Sequence, residues 1–217
     1  MAVSTDTVDF SALQIADWRL QVFALYARVR ELSLADPSAA HLFWQHERDR
    51  LVAEHPATPL LAEDRQAFTG LLVADYDPDW RFECTVVPPD EAVSRVVETG
   101  TDGSVPFELL GTVGVADFGT LDVWRLTSYG GGLFLPIRDG LAGRPGGTYG
   151  GGRYLLDTVK GAYLGTGSAQ NSLIIDFNFA YQPSCAYDPA WACPLAQAGN
   201  TLAAPIPVGE FYQSATR

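Results

Sequence analysis

The chain has 217 residues, a formal net charge of −12, and a content of 47% hydrophobic and 18% charged residues. This size and composition are typical of a globular domain whose core needs no structural metal or disulfide to fold. With 14 basic residues against 26 acidic ones, the chain lacks the clustered positive charge that nucleic-acid binding requires, and it is poorly suited to an anionic membrane surface. We therefore expect a small-molecule ligand or substrate, with no nucleic-acid and no membrane partner.

The N-terminal segment MAVSTDTVDF contains neither the basic start nor the apolar run of a signal peptide. No stretch of the sequence approaches the roughly 20 apolar residues that a membrane span needs. We expect a cytoplasmic protein, in which the three cysteines, Cys84, Cys185 and Cys193, are reduced by default.

The N-terminal part of the chain has the hydrophobic pattern of helices. Apolar residues recur at three- and four-residue spacing on one face of a first helix, at Trp18, Val22, Leu25, Tyr26, Val29 and Leu32. Asp36-Pro37 is a typical helix start, because Asp caps free N–H groups and Pro fits the first helical position. It predicts a second helix over about residues 37–54 that ends before Pro56.

From Gly70 onward the chain is rich in Val, Phe, Tyr and Trp and is interrupted by Gly and Pro, a pattern typical of short strands. Strands are predicted over 80–87, 105–112, 114–119, 121–128, 132–137, 153–158, 172–180 and 202–208. We predict a mainly β protein with an N-terminal helical arm (α+β), built as an antiparallel β-barrel or sandwich. The arm is expected over 1–68 and the β body over 69–217, in one folding unit.

Two polar residues interrupt the apolar strand predicted over 172–180. Asp176 and Asn178 lie on one face of such a strand, about 7 Å apart. The flanking Ile174 and Ala180 favour a cavity over bulk water, and a carboxylate beside an amide can bind a ligand or transfer a proton there. Arg153 is expected in the same hollow. There it holds a substrate oxygen or pairs with Asp176, and such pairing would lower the pKa of that carboxylate and disqualify it as a base.

Glycines and cysteines mark two further segments. Seven glycines between Gly140 and Gly152 predict a tight bend entering the next strand, rather than an anion-binding loop, because the phosphate-loop pattern is absent. Cys185 and Cys193 are weak metal-ligand candidates, since the paired spacing of zinc ligands is missing. A local disulfide or two buried thiols are the alternatives.

The motifs TYGGGRYLLDTVKG, DFNFAYQPSCAYDPAWACPL and the later VGE resemble the domain-of-unknown-function family 1684. The upstream segments ERDRLVAEHPATPL, FTGLLVADYDPDWRFE and LFLPIRDG agree, so the resemblance covers about residues 18–210. The family brings no settled activity, and it implies a single domain with an extended, motif-rich β region. Its marked positions correspond here to Tyr149, Gly152, Arg153, Tyr154, Asp176, Asn178, Tyr181, Pro183, Cys185, Tyr187, Cys193, Pro194, Asn200 and Gly209.

The chain departs from the family pattern at several positions. Gly147 stands where the family tends to have Glu, and Tyr163 where close relatives tend to have Asp. Thr201 and Phe211 stand where basic residues are expected. These exchanges remove charge, so the resemblance implies a less polar site that takes a more hydrophobic molecule, as in secondary metabolism.

The first functional hypothesis is a small-molecule enzyme without an organic cofactor that performs a cyclisation, isomerisation or hydrolysis by acid/base chemistry. Its catalytic residues are expected to be Asp176, Arg153 and Tyr149, and its substrate-binding residues Asn178, Tyr181, Tyr187, Tyr163 and Asn200. The alternatives are a non-catalytic small-molecule-binding protein and a thiolate/carboxylate metal protein that uses Cys185 and Cys193. The helical arm also offers a face for a homo-oligomer. A free, protonatable Asp176 favours the enzyme, whereas an Asp176 locked to Arg153 favours binding.

Overall fold

The structure is a computed structural model that describes residues 11–99 and 103–213. Two helices come first, followed by a β-sheet and a long C-terminal segment of turns. Within the described residues, neither helix combines the length and the apolar character needed to cross a membrane.

The helices follow their local signals closely. Helix α1 spans Ser11–Ser33 and α2 spans Pro37–Glu54. Asp36 caps α2, because its carboxylate accepts hydrogen bonds from the backbone N–H groups of Ser38 at 2.9 Å and Ala39 at 3.1 Å. The backbone becomes extended directly before the next proline, where α2 ends. The predicted second helix is therefore confirmed.

The described residues form one curled antiparallel sheet of seven strands. They are β1 Arg81–Val87, β2 Ser94–Thr99, β3 Gly103–Val115, β4 Gly119–Leu126, β5 Gly132–Ile137, β6 Arg153–Asp157 and β7 Ser172–Asp176. The order is β6-β5-β4-β3-β1-β7, with β2 paired to β3. Tyr154 in β6 exchanges backbone hydrogen bonds of 2.8 and 3.0 Å with Tyr181, just beyond β7, so the two ends of the sheet approach each other as a half-barrel. The predicted mainly β class with an N-terminal helical arm is confirmed.

Three predicted strands differ from the structure. The separate strand expected over 114–119 does not form, because β3 continues to Val115 and Ala116–Phe118 form a 3₁₀ turn. The strand expected over 172–180 ends at its fifth residue, where Phe177–Phe179 form a 3₁₀ turn. The segment 202–208 is not a strand, although it buries three apolar side chains. Its Pro205 and Pro207 have no N–H group to donate to a strand ladder, so the segment contributes to the core without pairing.

The helices pack on the segment that follows β7. Leu25, Tyr26 and Val29 of α1 share an apolar cluster with Trp44 of α2 and with Phe179. This contact brings α2 beside residues 177–187, and with them the C-terminal segment. The division of the chain into an arm over 1–68 and a body over 69–217 stays a prediction.

Candidate functional site

Asp176 and Asn178 form a closed hydrogen-bond network at the end of β7. The Asp176 side chain is 0% exposed. Its Oδ2 accepts from Arg81 Nη1 at 3.1 Å and from the Tyr76 hydroxyl at 3.4 Å. Its Oδ1 accepts from the backbone N–H of Asn178 at 3.1 Å and from Asn178 Nδ2 at 2.8 Å. The Asn178 amide in turn bonds the backbone of Asp77 in both directions, so both side chains tie together the loops around β1 and β7.

The protonation of Asp176 is set by opposing effects. Burial raises the pKa of its carboxyl above the ordinary value, and the hydrogen bonds from Asn178 and Arg81 offset part of that rise. Four hydrogen bonds from three residues hold the carboxylate, and its ionic partner is Arg81, not Arg153.

Arg153 belongs to a different network. Its guanidinium donates from Nη1 to the backbone carbonyls of Val208 and Glu210, and from Nη2 to that of Ile206 at 3.2 Å. Asp139 Oδ2 lies 3.6 Å from Nη2. Burial lowers the pKa of Arg153 to about 10. Arg153 thus anchors the C-terminal segment onto β6.

The expected single hollow for Asp176, Asn178 and Arg153 is wrong. The first two close the β7 end of the sheet and the third holds the C-terminal segment at the β6 end, and no hydrogen bond or ion pair between described residues joins the two networks. The prediction failed because the chain leaves the regular strand after Asp176, so strand alternation no longer places the side chains that follow.

A concave site that contains predicted site residues lies elsewhere. A cavity of about 550 Å³, the outer pocket, opens between the segment after α2, the loop after β7 and the C-terminal segment. It is lined by Leu60, Asp64, Ala67, Phe68, Leu71, Leu72, Tyr149, Gln182, Cys185, Ala186, Tyr187, Pro189, Glu210, Phe211, Tyr212 and Gln213. Tyr149 and Tyr187 were predicted as site residues, and the structure brings them together here.

A buried ion pair lies behind the wall of the outer pocket. Glu210 is 0% exposed and its Oε2 lies 2.8 Å from Arg48 Nη2 of helix α2. The same oxygen accepts from the backbone N–H of Gln182 at 3.1 Å, and Oε1 accepts from the Tyr187 hydroxyl. Burial, the largest single effect, lowers the pKa of Arg48, but the charge of Glu210 together with the smaller contributions of Tyr187, Tyr26 and Tyr181 raises that pKa overall. Burial and the same charge raise the pKa of Tyr187, so its hydroxyl stays protonated as a donor.

A small cavity of about 60 Å³, the inner cavity, adjoins the outer pocket. Gln182 and Tyr187 line both spaces and separate them. Tyr181 lines the inner cavity, where the guanidinium of Arg48 lies 4.8 Å from its ring centroid. Burial raises the pKa of Tyr181 well above its ordinary value.

Gln182 has a buried acceptor without a partner. The residue is 5% exposed, and its Nε2 donates to the backbone carbonyl of Phe211 at 2.9 Å. Its Oε1 has no hydrogen-bond partner among the described residues. A buried polar atom left in this state is unfavourable by about 1–3 kcal/mol, so a ligand donor that reached this oxygen would stabilise the complex.

Besides Asn178, two predicted substrate-binding residues lie outside both cavities. The Asn200 side chain is buried, accepts from Trp124 Nε1 at 3.1 Å and donates to the carbonyl of Asp122 at 2.8 Å. The carbonyl of Tyr163 accepts from Arg30 Nη1 at 2.8 Å, and its side chain packs against the main core. Both positions stabilise loops.

The two cysteines of the loop after β7 meet each other. Cys185 and Cys193 are free thiols of intermediate exposure, and a side-chain hydrogen bond joins them. Within the part of the chain that the structure describes, no group of three or more His, Cys, Asp or Glu side chains could hold a metal ion. Among these described residues the two thiols have no third ligand of the kind that a thiolate/carboxylate metal site requires.

A family model described as "Protein of unknown function (DUF1684)" matches residues 66–211. This chain belongs to the DUF1684 family. A solution NMR structure of an uncharacterized protein from Haloarcula marismortui is similar, with 30% sequence identity and a TM-score of 0.58. The similarity covers 80% of this chain and 92% of that chain. The search of curated proteins returned no match.

The DUF1684 match includes most of the residues that line the outer pocket. It leaves out Arg48, which forms the ion pair with Glu210. Tyr149, Gln182, Tyr187 and Glu210 lie inside the matched range, whereas Arg48 lies before it. Sequence reasoning missed Arg48, Gln182 and Glu210. The last two stand within the quoted motifs FAYQPSC and VGE, which was the available signal. No local pattern points to Arg48, because its partner lies 162 residues away.

Proposed function

We propose that this DUF1684 protein binds a small organic molecule in the outer pocket without transforming it. The observation that carries the proposal is that Gln182, which lines a cavity of about 550 Å³, has a buried Oε1 without a hydrogen-bond partner. That volume falls in the range of about 300–1,000 Å³ usual for small-molecule sites, which combine apolar walls with a few polar groups. The four hydrogen bonds that hold Asp176 favour binding over proton transfer by that residue.

The lining of the outer pocket indicates the chemistry of the ligand. Leu60, Phe68, Leu72 and Phe211 supply apolar surface, and Phe211 stands where the family resemblance implies a basic residue. The charge of Glu210 is neutralised by its ion pair, so the pocket offers no net charge from this pair. We infer a largely apolar ligand that carries a hydrogen-bond donor for Gln182 Oε1.

A binding screen tests this proposal. The purified protein is titrated with a panel of phenols, aryl amides and aliphatic alcohols, and binding is followed by thermal shift and by amide chemical shifts in NMR. Ligands with a donor should bind, and Gln182→Met should weaken them about 10-fold, the equivalent of one lost hydrogen bond. Matched analogues in which an ether replaces the donor should bind both proteins equally.

A blocking variant locates the binding. Leu72→Trp fills the outer pocket and should abolish binding, whereas Leu42→Trp, at an exposed position outside the lining, should leave it unchanged. Binding that survives Leu72→Trp would place the ligand elsewhere and end the proposal.

A second candidate is the cofactor-free acid/base enzyme centred on Asp176. It is favoured by the burial that raises the pKa of this carboxyl, and by its partner Arg81, which lines a separate cleft of about 530 Å³. A cyclisation, isomerisation or hydrolysis in secondary metabolism would suit such a group. Ligands from the screen are incubated with the protein and analysed by mass spectrometry. Turnover by the wild type that Asp176→Asn abolishes would support the enzyme, and ligands recovered unchanged would support binding.

A further inference from the structure

The loop that carries Tyr187 also carries a pair of thiols in contact. Cys185 and Cys193 bound a nine-residue segment of the sequence, and their thiols share a hydrogen bond. A turn at Asp188, where its carboxylate accepts from the N–H of Ala190 at 2.8 Å and its carbonyl from the N–H of Trp191 at 3.1 Å, folds the segment back on itself. The two sulfur atoms are therefore neighbours in the folded chain.

Both ends of this segment are held by tyrosines of the β body. The Tyr149 hydroxyl donates to the carbonyl of Cys185 at 3.3 Å, and the Tyr154 hydroxyl donates to the carbonyl of Pro194 at 2.7 Å. Because the anchors fix the backbone beside each cysteine, the pairing of the thiols is a property of the fold and not of a freely moving loop.

The two thiols have unequal acidity. The hydrogen bond from the Cys185 thiol, with a smaller contribution from the positive charge of Lys160, lowers the pKa of Cys193 to about 6. The same hydrogen bond, together with burial, raises the pKa of Cys185. The direction of these two shifts favours Cys193 as the nucleophile and Cys185 as the thiol that keeps its proton. Both residues are partly exposed, whereas the third cysteine, Cys84, is buried in strand β1.

We propose that Cys185 and Cys193 form a thiol–disulfide exchange site whose substrates are low-molecular-weight disulfides. The Cys193 thiolate attacks one sulfur of the small disulfide, the S–S bond of that molecule breaks, and one small thiolate leaves. The neighbouring Cys185 thiol then gives up its proton to that departing thiolate and attacks the sulfur of Cys193. The second small thiolate leaves. Two protein thiols are oxidised to one disulfide, and one small disulfide is reduced to two small thiols.

This exchange would act on the wall of the outer pocket. Cys185 and Tyr187 both line that pocket, so a bond between Cys185 and Cys193 fixes the loop that carries the Tyr187 hydroxyl. The site does not depend on the proposed ligand, because neither its nucleophile nor its substrate belongs to the pocket.

The reaction is tested on the full, reduced protein with oxidised glutathione. After acid quenching, free thiols are alkylated with iodoacetamide and the products are identified by intact mass and peptide mapping. The wild type should lose two hydrogen atoms, show a Cys185–Cys193 peptide link and keep Cys84 alkylated. Cys84→Ser, the matched control, should react at the same rate as the wild type.

Two single variants separate the steps. Cys185→Ser should stop at a mixed disulfide between glutathione and Cys193, while Cys193→Ser should react at least 10-fold more slowly. Circular dichroism verifies that each variant is folded, and the wild type in urea gives the rate of the same thiols without the fold. Glutathione accumulating at Cys185 in the wild type, or a folded protein that reacts no faster than the unfolded one, would overturn the proposal.

Discussion

Arg48 and Glu210 form a buried ion pair that ties helix α2 to the C-terminal segment, with Nη2 and Oε2 2.8 Å apart. The Glu210 carboxylate also accepts from Tyr187 and from the backbone of Gln182. One carboxylate thus joins three parts of the chain that surround the outer pocket and the inner cavity, and the shape of both spaces depends on it.

Neutralising Glu210 should destabilise the protein strongly. Glu210→Gln keeps the shape of the side chain but leaves the Arg48 charge buried without its partner, which costs about 3–5 kcal/mol. Urea unfolding followed by fluorescence measures the free energy of unfolding. The matched control is Glu47→Gln, which removes the more exposed pair between Glu47 and Arg50 and should cost no more than about 1 kcal/mol.

The effects of substituting Arg48 and Glu210 on the free energy of unfolding should also be non-additive. Arg48→Met combined with Glu210→Gln removes both charges, so the double variant should be more stable than Glu210→Gln alone. A Glu210→Gln variant as stable as Glu47→Gln would show that the pair does not hold the site.

The contribution of Asp176 to stability should fall as the pH rises. Its pKa in the folded chain is raised by burial, so the folded form binds a proton more tightly than the unfolded form, whose pKa is about 3.9. The stabilisation is therefore fully present below the unfolded pKa and is lost as the pH rises through the folded pKa. Urea unfolding at several pH values from about 3 to about 7 measures this dependence.

Asp176→Asn supplies the reference for that series, because an amide does not titrate. The free energy of unfolding of the wild type minus that of the variant should decrease with rising pH. An increase would mean that the hydrogen bonds and the Arg81 ion pair dominate over burial.

Gly209 should tolerate no side chain. Its φ is +77°, and a Cβ there would lie 2.7 Å from the carbonyl oxygen of Phe177 and 2.8 Å from that of Ala180. Gly146 has a similar φ of +67° with open space around it. Gly146→Ala should cost only the left-handed backbone strain, about 1–2 kcal/mol, whereas Gly209→Ala should cost roughly 3 kcal/mol or more because backbone must also move. Equal losses of stability for the two variants, measured by thermal or urea unfolding, would refute the close approach of the Phe177 and Ala180 carbonyls to Gly209.

The reactivity of Cys193 should follow a low pKa. Because the Cys185 thiol stabilises the thiolate, alkylation of Cys193 by iodoacetamide should reach half its maximal rate near pH 6. Cys185→Ala removes the hydrogen bond and should move this midpoint upward, toward the ordinary thiol pKa of about 8.5. Peptide mapping assigns the rates, and Cys84→Ala should leave the profile of Cys193 unchanged. A wild-type midpoint near the ordinary value would contradict the pairing of the two thiols.

The sequence by itself determined the helices and most of the strands. The cap at Asp36 and the end of α2 rest on interactions between residues close in the chain, and alternation within a strand is equally local. The sequence also identified three residues of the outer pocket, Tyr149, Tyr187 and Cys185, because they lie in the motifs that carry the family resemblance.

Only the tertiary structure decided how the polar groups combine. Asp176 has its ionic partner in Arg81 on a neighbouring strand, and Arg153 instead holds the C-terminal segment. The partnership of Arg48 with Glu210 spans 162 residues. Such pairs depend on how the sheet curls and where the helices pack, because a buried charge pairs with the opposite charge that this packing places beside it. The spacing of residues along the chain therefore does not predict which charged side chains pair.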